Sequence, residues 1–300
     1  MQQSEPAASA TVTPATRLIR VPLAALLLAP GLLLFLAFFV LPLGVLIVNS
    51  FYDYSRLAGI IPVFTTKNYA RIVGDTFYIE VIGRTLRLAG LTAVVTLLIG
   101  YPIALYLTVA SARQRAWIIL LVLSPLMISV IVRTLGWLII LGPNGLVDSA
   151  FTSIGIPGVR LLHTEFAAVA GLANVLLPFM VLSIATSLQA IDPAVPLAAA
   201  SLGAPPWRVF RSIILPLSLP GLLAGVLIVF SLASSSFVTP ALLAGSNYKV
   251  MSIMIYQQAL VLQNWPLAAA FAVALVLVVV LTLTVQSRVV EAGRYKVLFH

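Results

Sequence analysis

Six stretches of this chain run for about 20 residues or more with almost no charge, the length a helix needs to cross the hydrocarbon core of a bilayer. They fall approximately at Leu23–Val48, Thr85–Val109, Trp117–Leu141, Phe166–Leu188, Leu217–Thr239 and Pro266–Val285. In lipid no water is present to pair with peptide groups, so each stretch must satisfy its own N–H and C=O groups as a helix. Composition agrees: 61% of residues are apolar and 8% charged, against roughly 25% charged in ordinary soluble domains. The expected fold is an all-α polytopic membrane bundle of about six transmembrane helices. The first stretch is too long for a signal-peptide core, and no small-residue cleavage site follows it at Asn49-Ser50-Phe51, so it reads as a retained anchor.

Basic residues set the expected orientation. With the N-terminus in the cytoplasm, the inner segments hold Arg17, Arg20, Arg113, Arg115, Arg208, Arg211, Arg288, Arg294 and Lys296. The outer loops hold Arg56, Lys67, Arg71, Arg160 and Lys249, with Arg84 at a boundary, and the acids Asp53, Asp75, Glu80, Asp148 and Glu165. The positive-inside bias then places both termini in the cytoplasm. The expected organisation is a disordered cytoplasmic segment 1–21, a transmembrane domain 22–287 and a cytoplasmic tail 288–300. Three outer segments stand out: an aromatic-rich stretch from Ser50 to Gly83, a turn with a short amphipathic helix from Gly142 to Glu165, and a re-entrant candidate from Leu242 to Gln263.

The inner segment 190–216 is more ordered than a simple connector. Ala198 to Ala200 favour helix, Gly203 suits the left-handed turn that ends one, and Pro205-Pro206 stand where a second helix begins. Val209, Phe210, Ile213 and Ile214 then form an apolar face at helical spacing, with Arg208 and Arg211 elsewhere. An amphipathic connector lying on the membrane surface also has this pattern.

The segment resembles the coupling loop of binding-protein-dependent ABC importer permeases. That family has Glu-Ala-Ala, three residues, Gly, nine residues, Ile, one residue and Leu-Pro. Here Ala198-Ala199, Gly203, Ile213 and Leu215-Pro216 stand at the matching places, and Leu197 replaces the glutamate. Further resemblance to the spermidine/putrescine branch is carried by Arg133-Thr134-Leu-Gly136-Trp137, Leu141-Gly-Pro-Asn144-Gly145, Leu176-Leu-Pro178-Phe179, Ile191-Asp192-Pro193, Leu215 to Gly221 and Val238-Thr239-Pro240. The resemblance implies a type I ABC importer transmembrane fold in the bacterial cytoplasmic (inner) membrane. It implies a cytoplasmic ATPase dimer, a second homologous permease and an extracytoplasmic solute-binding protein as partners. Ala198, Ala199, Gly203, Ala204, Trp207, Phe210, Ile213, Leu215 and Pro216 are the residues expected to meet the ATPase. Polyamines are the expected solute; opines, phosphonates, thiamine-like compounds and iron are carried by other members.

Several chemistries are excluded or disfavoured by the residues themselves. A P-loop needs Gly-Lys-Ser/Thr, and none of Lys67, Lys249 and Lys296 follows a glycine. ATP and Mg2+ are therefore expected on the ATPase, with no cofactor bound by this chain. Without cysteine there is neither a disulfide framework nor a thiolate metal site. His163 and His300 alone make no metal site. The basic residues are scattered at membrane edges, which suits lipid headgroups and not nucleic acid. The predicted spans hold no Asp or Glu, which argues against an ion-coupled secondary transporter.

Polar residues inside the spans are the candidates for a translocation path. Arg133, Thr134 and Trp137 lie in the outer part of the third span, Asn174 in the fourth, and Ser234, Ser235 and Thr239 in the fifth. An arginine in lipid is costly and should face protein or water. Pairing with Asp148 or Glu165, or bonding to carbonyls, is the structural alternative for Arg133. Helix packing is the alternative for Asn174 and the serines.

Overall fold

The computed structural model describes the backbone of residues 20–156 and 160–298, and the side chains of 27–156 and 160–288. The chain divides into two compact units, Met1–Asn49 and Ser50–His300. The first unit holds α1 (Arg20–Phe35), a π-helical turn at Leu36–Val40 and all but the last residue of α2 (Leu41–Ser50). A proline ring clashes with the carbonyl four residues back, and the wide turn falls just before Leu41-Pro42, where that conflict would arise. Residues 1–19 of the expected disordered segment lie outside the described residues.

The second unit opens with an antiparallel hairpin of β1 (Tyr52–Ser55) and β2 (Gly59–Phe64), followed by α3 (Lys67–Gly74). Next comes α4 (Thr76–Val109), whose first turn is capped by Asp75 accepting from Phe77 N at 2.9 Å. Ser111 and Gln114 form a reciprocal capping box that starts α5 (Ala112–Met127). Then follow α6 (Val130–Leu141), α7 (Leu146–Ser153) and α8 (Glu165–Gln189), the last capped by Thr164. The chain continues through α9 (Ala194–Ser201), α10 (Pro206–Val209), a π-helical turn at Phe210–Ile214 and α11 (Leu215–Ser235). It closes with α12 (Val238–Leu243), α13 (Met251–Tyr256), a π-helical turn at Gln257–Val261 and α14 (Trp265–Leu298).

At the centre, α8 packs between α4 and α11. Leu172, Leu176, Met180, Val181, Ile184 and Leu188 of α8 are buried against Leu88, Ala93 and Leu107 of α4 and Val229, Phe230 and Ala233 of α11. Lipid tails are as apolar as leucine, so association rests on close packing instead of escape from water. Met180 shows how close: a Cβ on Gly225 would lie 2.7 Å from its sulfur, and one on Gly100 would lie 3.1 Å from its Cγ. A second cluster joins Ile72, Tyr78, Val81, Met251, Met254 and Phe271, with the Tyr78 and Phe271 rings edge-on at 5.0 Å. Trp137 and Leu162 pack on a third, made of Leu141, Ala167 and Leu243.

Among the described residues six stretches are long and apolar enough to cross a membrane: Leu27–Ser50, Thr76–Val109, Val130–Ser153, Glu165–Gln189, Pro206–Ser235 and Trp265–Arg288. The expected helical fold stands, with five corrections of detail. The segment after the first span contains the hairpin, so the fold is not purely helical. The second span begins at Thr76, not Thr85, because Asp75 caps it there; Glu80, Arg84 and Arg87 are thus helical. The third is not one helix over Trp117–Leu141: Ile128 and Ser129 are extended, with ψ of 135° and 138°, and divide α5 from α6. The fifth ends at Ser235, which puts Thr239 in α12 beyond a break. The helix of the last span also continues through residues 288–298.

Candidate functional site

Short-range hydrogen bonds order the turns of the segment 190–216. Asp192 accepts from Ala194 N through Oδ1 at 2.9 Å and opens α9. At the other end Gly203 N donates to Ala200 O at 2.9 Å and Ala204 N to Ala199 O at 3.1 Å. These are the two bonds of a Schellman motif, and Gly203 supplies its left-handed residue at φ +82°. Pro205 is extended, Pro206 takes the first position of α10, and Arg208 N and Val209 N both donate to Pro205 O at 2.9 and 3.1 Å. The expected order of helix, glycine turn, helix and membrane span is what the chain adopts.

The segment has an inner and an outer surface. Val209 is buried, Ile191 and Ile214 pack on the central core, and Phe210 stands edge-on to Tyr101 of α4 at 5.8 Å. Ile213, Leu215 and Pro216 are half-buried as the chain turns into α11. Outward, Leu197, Leu202 and Trp207 are 65%, 89% and 67% exposed. Ala198, Arg208 and Arg211 are exposed beside them. Exposed large apolar side chains on a capped framework suit an interaction surface.

The polar path candidates do not gather in one cavity. Thr134 and Ser234 are buried and donate to carbonyls of their own helices, Val130 O at 2.7 Å and Phe230 O at 2.8 Å. Thr239 is buried against Gly171. Trp137 belongs to the third packing cluster. Ser235 is exposed, and Asn174 is half-buried with no side-chain hydrogen bond among the described residues.

Arg133 is half-buried and donates through Nη1 to Pro125 O. The break at Ile128–Ser129 removes the N–H that would have reached that carbonyl in a continuous helix, and the guanidinium takes its place. The carbonyl alternative is therefore the one the structure adopts; the ion-pair alternatives are not. Asp148 Oδ2 accepts from Asn144 N at 3.0 Å. Glu165 pairs with Arg87 at 2.8 Å and accepts from the Tyr248 hydroxyl at 2.9 Å.

That last cluster ties α4, α8 and the loop before α13 together at the end of the bundle away from the 190–216 segment. Burial, reinforced by the Glu165 carboxylate, pushes the Tyr248 hydroxyl well above the usual phenol range. Nearby, Arg84 holds Glu80 at 3.0 Å and donates to Asn247 O, and Thr85 Oγ1 accepts from Met251 N at 2.9 Å. On the hairpin, Lys67 donates to Asp53 at 2.7 Å and holds that carboxyl below its ordinary range. Reading the sequence overlooked Arg87 and Tyr101, because each lies within an apolar run whose partner is distant in the chain.

The comparisons with known proteins agree with this geometry. A family profile described as "Binding-protein-dependent transport system inner membrane component" matches residues 91–292. The spermidine/putrescine transport system permease protein PotB of Haemophilus influenzae is 32% identical over 213 residues, 70% of this chain and 74% of that protein. Its counterpart in Escherichia coli K12 is 31% identical over 84% of this chain and 92% of its own length. In fold, the chain matches one from the crystal structure of a bacterial ABC transporter involved in the import of alginate, with a TM-score of 0.70, 21% identity and coverage of 89% and 95% of the two chains. A chain of the MetNI methionine ABC transporter matches with a TM-score of 0.56 and 21% identity, over 71% and 94%. The profile spans about two thirds of the sequence, and the six apolar helices give it the required setting: this chain belongs to the binding-protein-dependent transport system inner membrane components, as a permease subunit.

Proposed function

We propose that this permease forms half of the path by which a polyamine, spermidine or putrescine, enters the cell at the expense of ATP hydrolysed elsewhere. A second permease of similar fold supplies the other half, and a pair of ATPase subunits, with ATP and Mg2+, docks on the 190–216 segment. Both termini and that segment face the cytoplasm, and an extracytoplasmic binding protein delivers solute to the hairpin side.

The observation that carries the reading is the capped helix–turn–helix of 190–216, with Leu197, Leu202 and Trp207 displayed outward while Val209 and Phe210 anchor it to the bundle. The solute assignment is supported by the names of the relatives at 31–32% identity. Chemistry sets a condition on it. The acids whose side chains are described are tied up as helix caps, in a turn or in ion pairs near the ends of helices, so this chain offers no free carboxylate deep in the membrane to hold a polycation. A path that binds weakly also releases readily, and selection then rests with the binding protein.

Uptake into proteoliposomes tests the reading. The chain is co-purified with its partner subunits, supplied with binding protein, and offered labelled spermidine, putrescine, a phosphonate and an opine. ATP-dependent entry of the polyamines alone is the expected result. Entry of the phosphonate or opine instead would keep the importer and replace the solute.

A further inference from the structure

One unbroken chain of side-chain contacts runs from the outer surface of the 190–216 segment into the bundle. The exposed Trp207 ring stacks on Phe210 at 5.5 Å and 26°. Phe210 in turn meets Tyr101 of α4 edge-on, at 5.8 Å and 86°. The Tyr101 hydroxyl lies 2.9 Å from Ser218 Oγ on α11, and Ser218 donates its single proton to Leu215 O at 3.0 Å. Tyr101 is therefore the donor of the bond that joins α4 to α11. Ser218 is fully buried and Tyr101 half-buried, so the bond reaches from the surface of the bundle into its core.

Prolines and a π-turn surround the contact. Pro102 follows Tyr101 and offers no N–H to the carbonyl of Leu98, so α4 lacks a rung beside the ring contact. In α11, Pro220 leaves the carbonyl of Pro216 without its α-helical donor. Between dock and span lies the π-helical turn Phe210–Ile214, with Leu215 N donating to Phe210 O. Helices bend at prolines and π-turns and are stiff elsewhere. Phe210 is thus the first residue of a deformable turn, and it presses on the residue before a deformable point of α4.

We propose that Tyr101 is a positioning residue that passes movement of the 190–216 segment into α4, receiving it from Trp207 through Phe210 and holding α11 through Ser218. The proposal rests on the reading of that segment as the ATPase dock. Closure of the ATPase pair displaces Trp207 and Phe210, and the edge-on contact drives α4 about Pro102. The Tyr101–Ser218 bond makes α11 follow.

This chain has no cysteine, so once it is labelled alone and then assembled with its partners, spin labels sit only where cysteines are introduced. In the assembled complex, Ala194→Cys reports the segment, Val94→Cys reports α4 beyond Pro102, and Leu182→Cys on α8 serves as the common reference. ATP with vanadate is expected to change both distances in the otherwise unaltered chain. In Phe210→Leu and in Tyr101→Ala, which both remove the ring contact, the Ala194–Leu182 change is expected to persist and the Val94–Leu182 change to disappear, whereas Tyr101→Phe keeps the ring and with it the α4 change. ATP hydrolysed per solute delivered in the first two should rise about fivefold, the low end of measured site-to-site coupling. Combining Tyr101→Phe with Ser218→Ala should add little to either variant alone, as two ends of one bond do. A full α4 response in both Phe210→Leu and Tyr101→Ala overturns the relay. If the segment ignores nucleotide even in the unaltered chain, the docking assignment itself fails, a result distinct from failure of the relay.

Discussion

Gly203 carries two separable requirements, space and backbone conformation, and the structure assigns its importance to the second. A Cβ there meets nothing within 4 Å, yet the residue sits at φ +82°. A β-branched side chain in that region costs roughly 1–2 kcal/mol, whereas asparagine visits it at smaller cost. Gly203→Asn is expected to keep most of the ATP-dependent uptake, and Gly203→Val to lose most of it, with equal amounts of both inserted in the membrane. Quantitative blotting beside proteoliposome uptake checks this; equal uptake by the two variants would remove the turn from the coupling argument. Gly203 and Pro206 were legible in the sequence because a left-handed turn and a first helical position leave marks within a few residues. Tyr101 and Arg87 were not, since their partners Phe210, Ser218, Glu165 and Tyr248 lie far off in the chain. Arg133 was half legible: the cost of an arginine in lipid foretold a partner, but not that a helix break would supply the carbonyl.

Met180 lies between α4 and α11 where glycine lets helices meet closely. Gly225→Val inserts carbon where the Met180 sulfur already lies 2.7 Å from the Cβ position. Overpacking of this kind costs about 1–3 kcal/mol. A lower midpoint of thermal aggregation in detergent is expected, recovered in part by adding Met180→Ala. At the α5–α6 break, Arg133→Lys is expected to retain more stability than Arg133→Ala, since an ammonium can still donate to Pro125 O. Truncation exposes that carbonyl at a cost of about 1–3 kcal/mol; equal losses for the two variants would show that the bond matters less than the packing. The break itself had only Pro125 as a signal. Two of the π-turns have a clearer one in retrospect: Leu36–Val40 and Phe210–Ile214 each run directly into a Leu-Pro pair, Leu41-Pro42 and Leu215-Pro216. The Leu-Pro of the family motif thus marks a wide turn as well as the start of a span. The hairpin at 52–64 was hidden because aromatic residues near a membrane boundary suit an interfacial belt as readily as a strand pair.

For the molecule as a whole, six spans follow from apolar length and their expected orientation from positive-inside charge, whereas the three-helix centre of α4, α8 and α11 left no mark in the sequence. Which end faces the cytoplasm rests on charge alone, and it decides whether the 190–216 segment can meet an ATPase. Ala112, beside Arg113 and Arg115, and Ala58, at the tip of the hairpin, are both exposed and belong to opposite ends of the bundle. Because the chain lacks cysteine, Ala112→Cys and Ala58→Cys each provide a single thiol. A membrane-impermeant maleimide added to spheroplasts is expected to label Ala58→Cys and spare Ala112→Cys; inside-out vesicles should reverse the pattern. Loss of positive charge in the short loop, through Arg113→Glu and Arg115→Glu together, should weaken this bias by removing the strongest inner signal between the second and third spans. The reverse labelling in unaltered loops would put the 190–216 segment outside, where no ATPase can reach it. The docking assignment and the relay through Tyr101 would then fall together, while the fold and the family would stand.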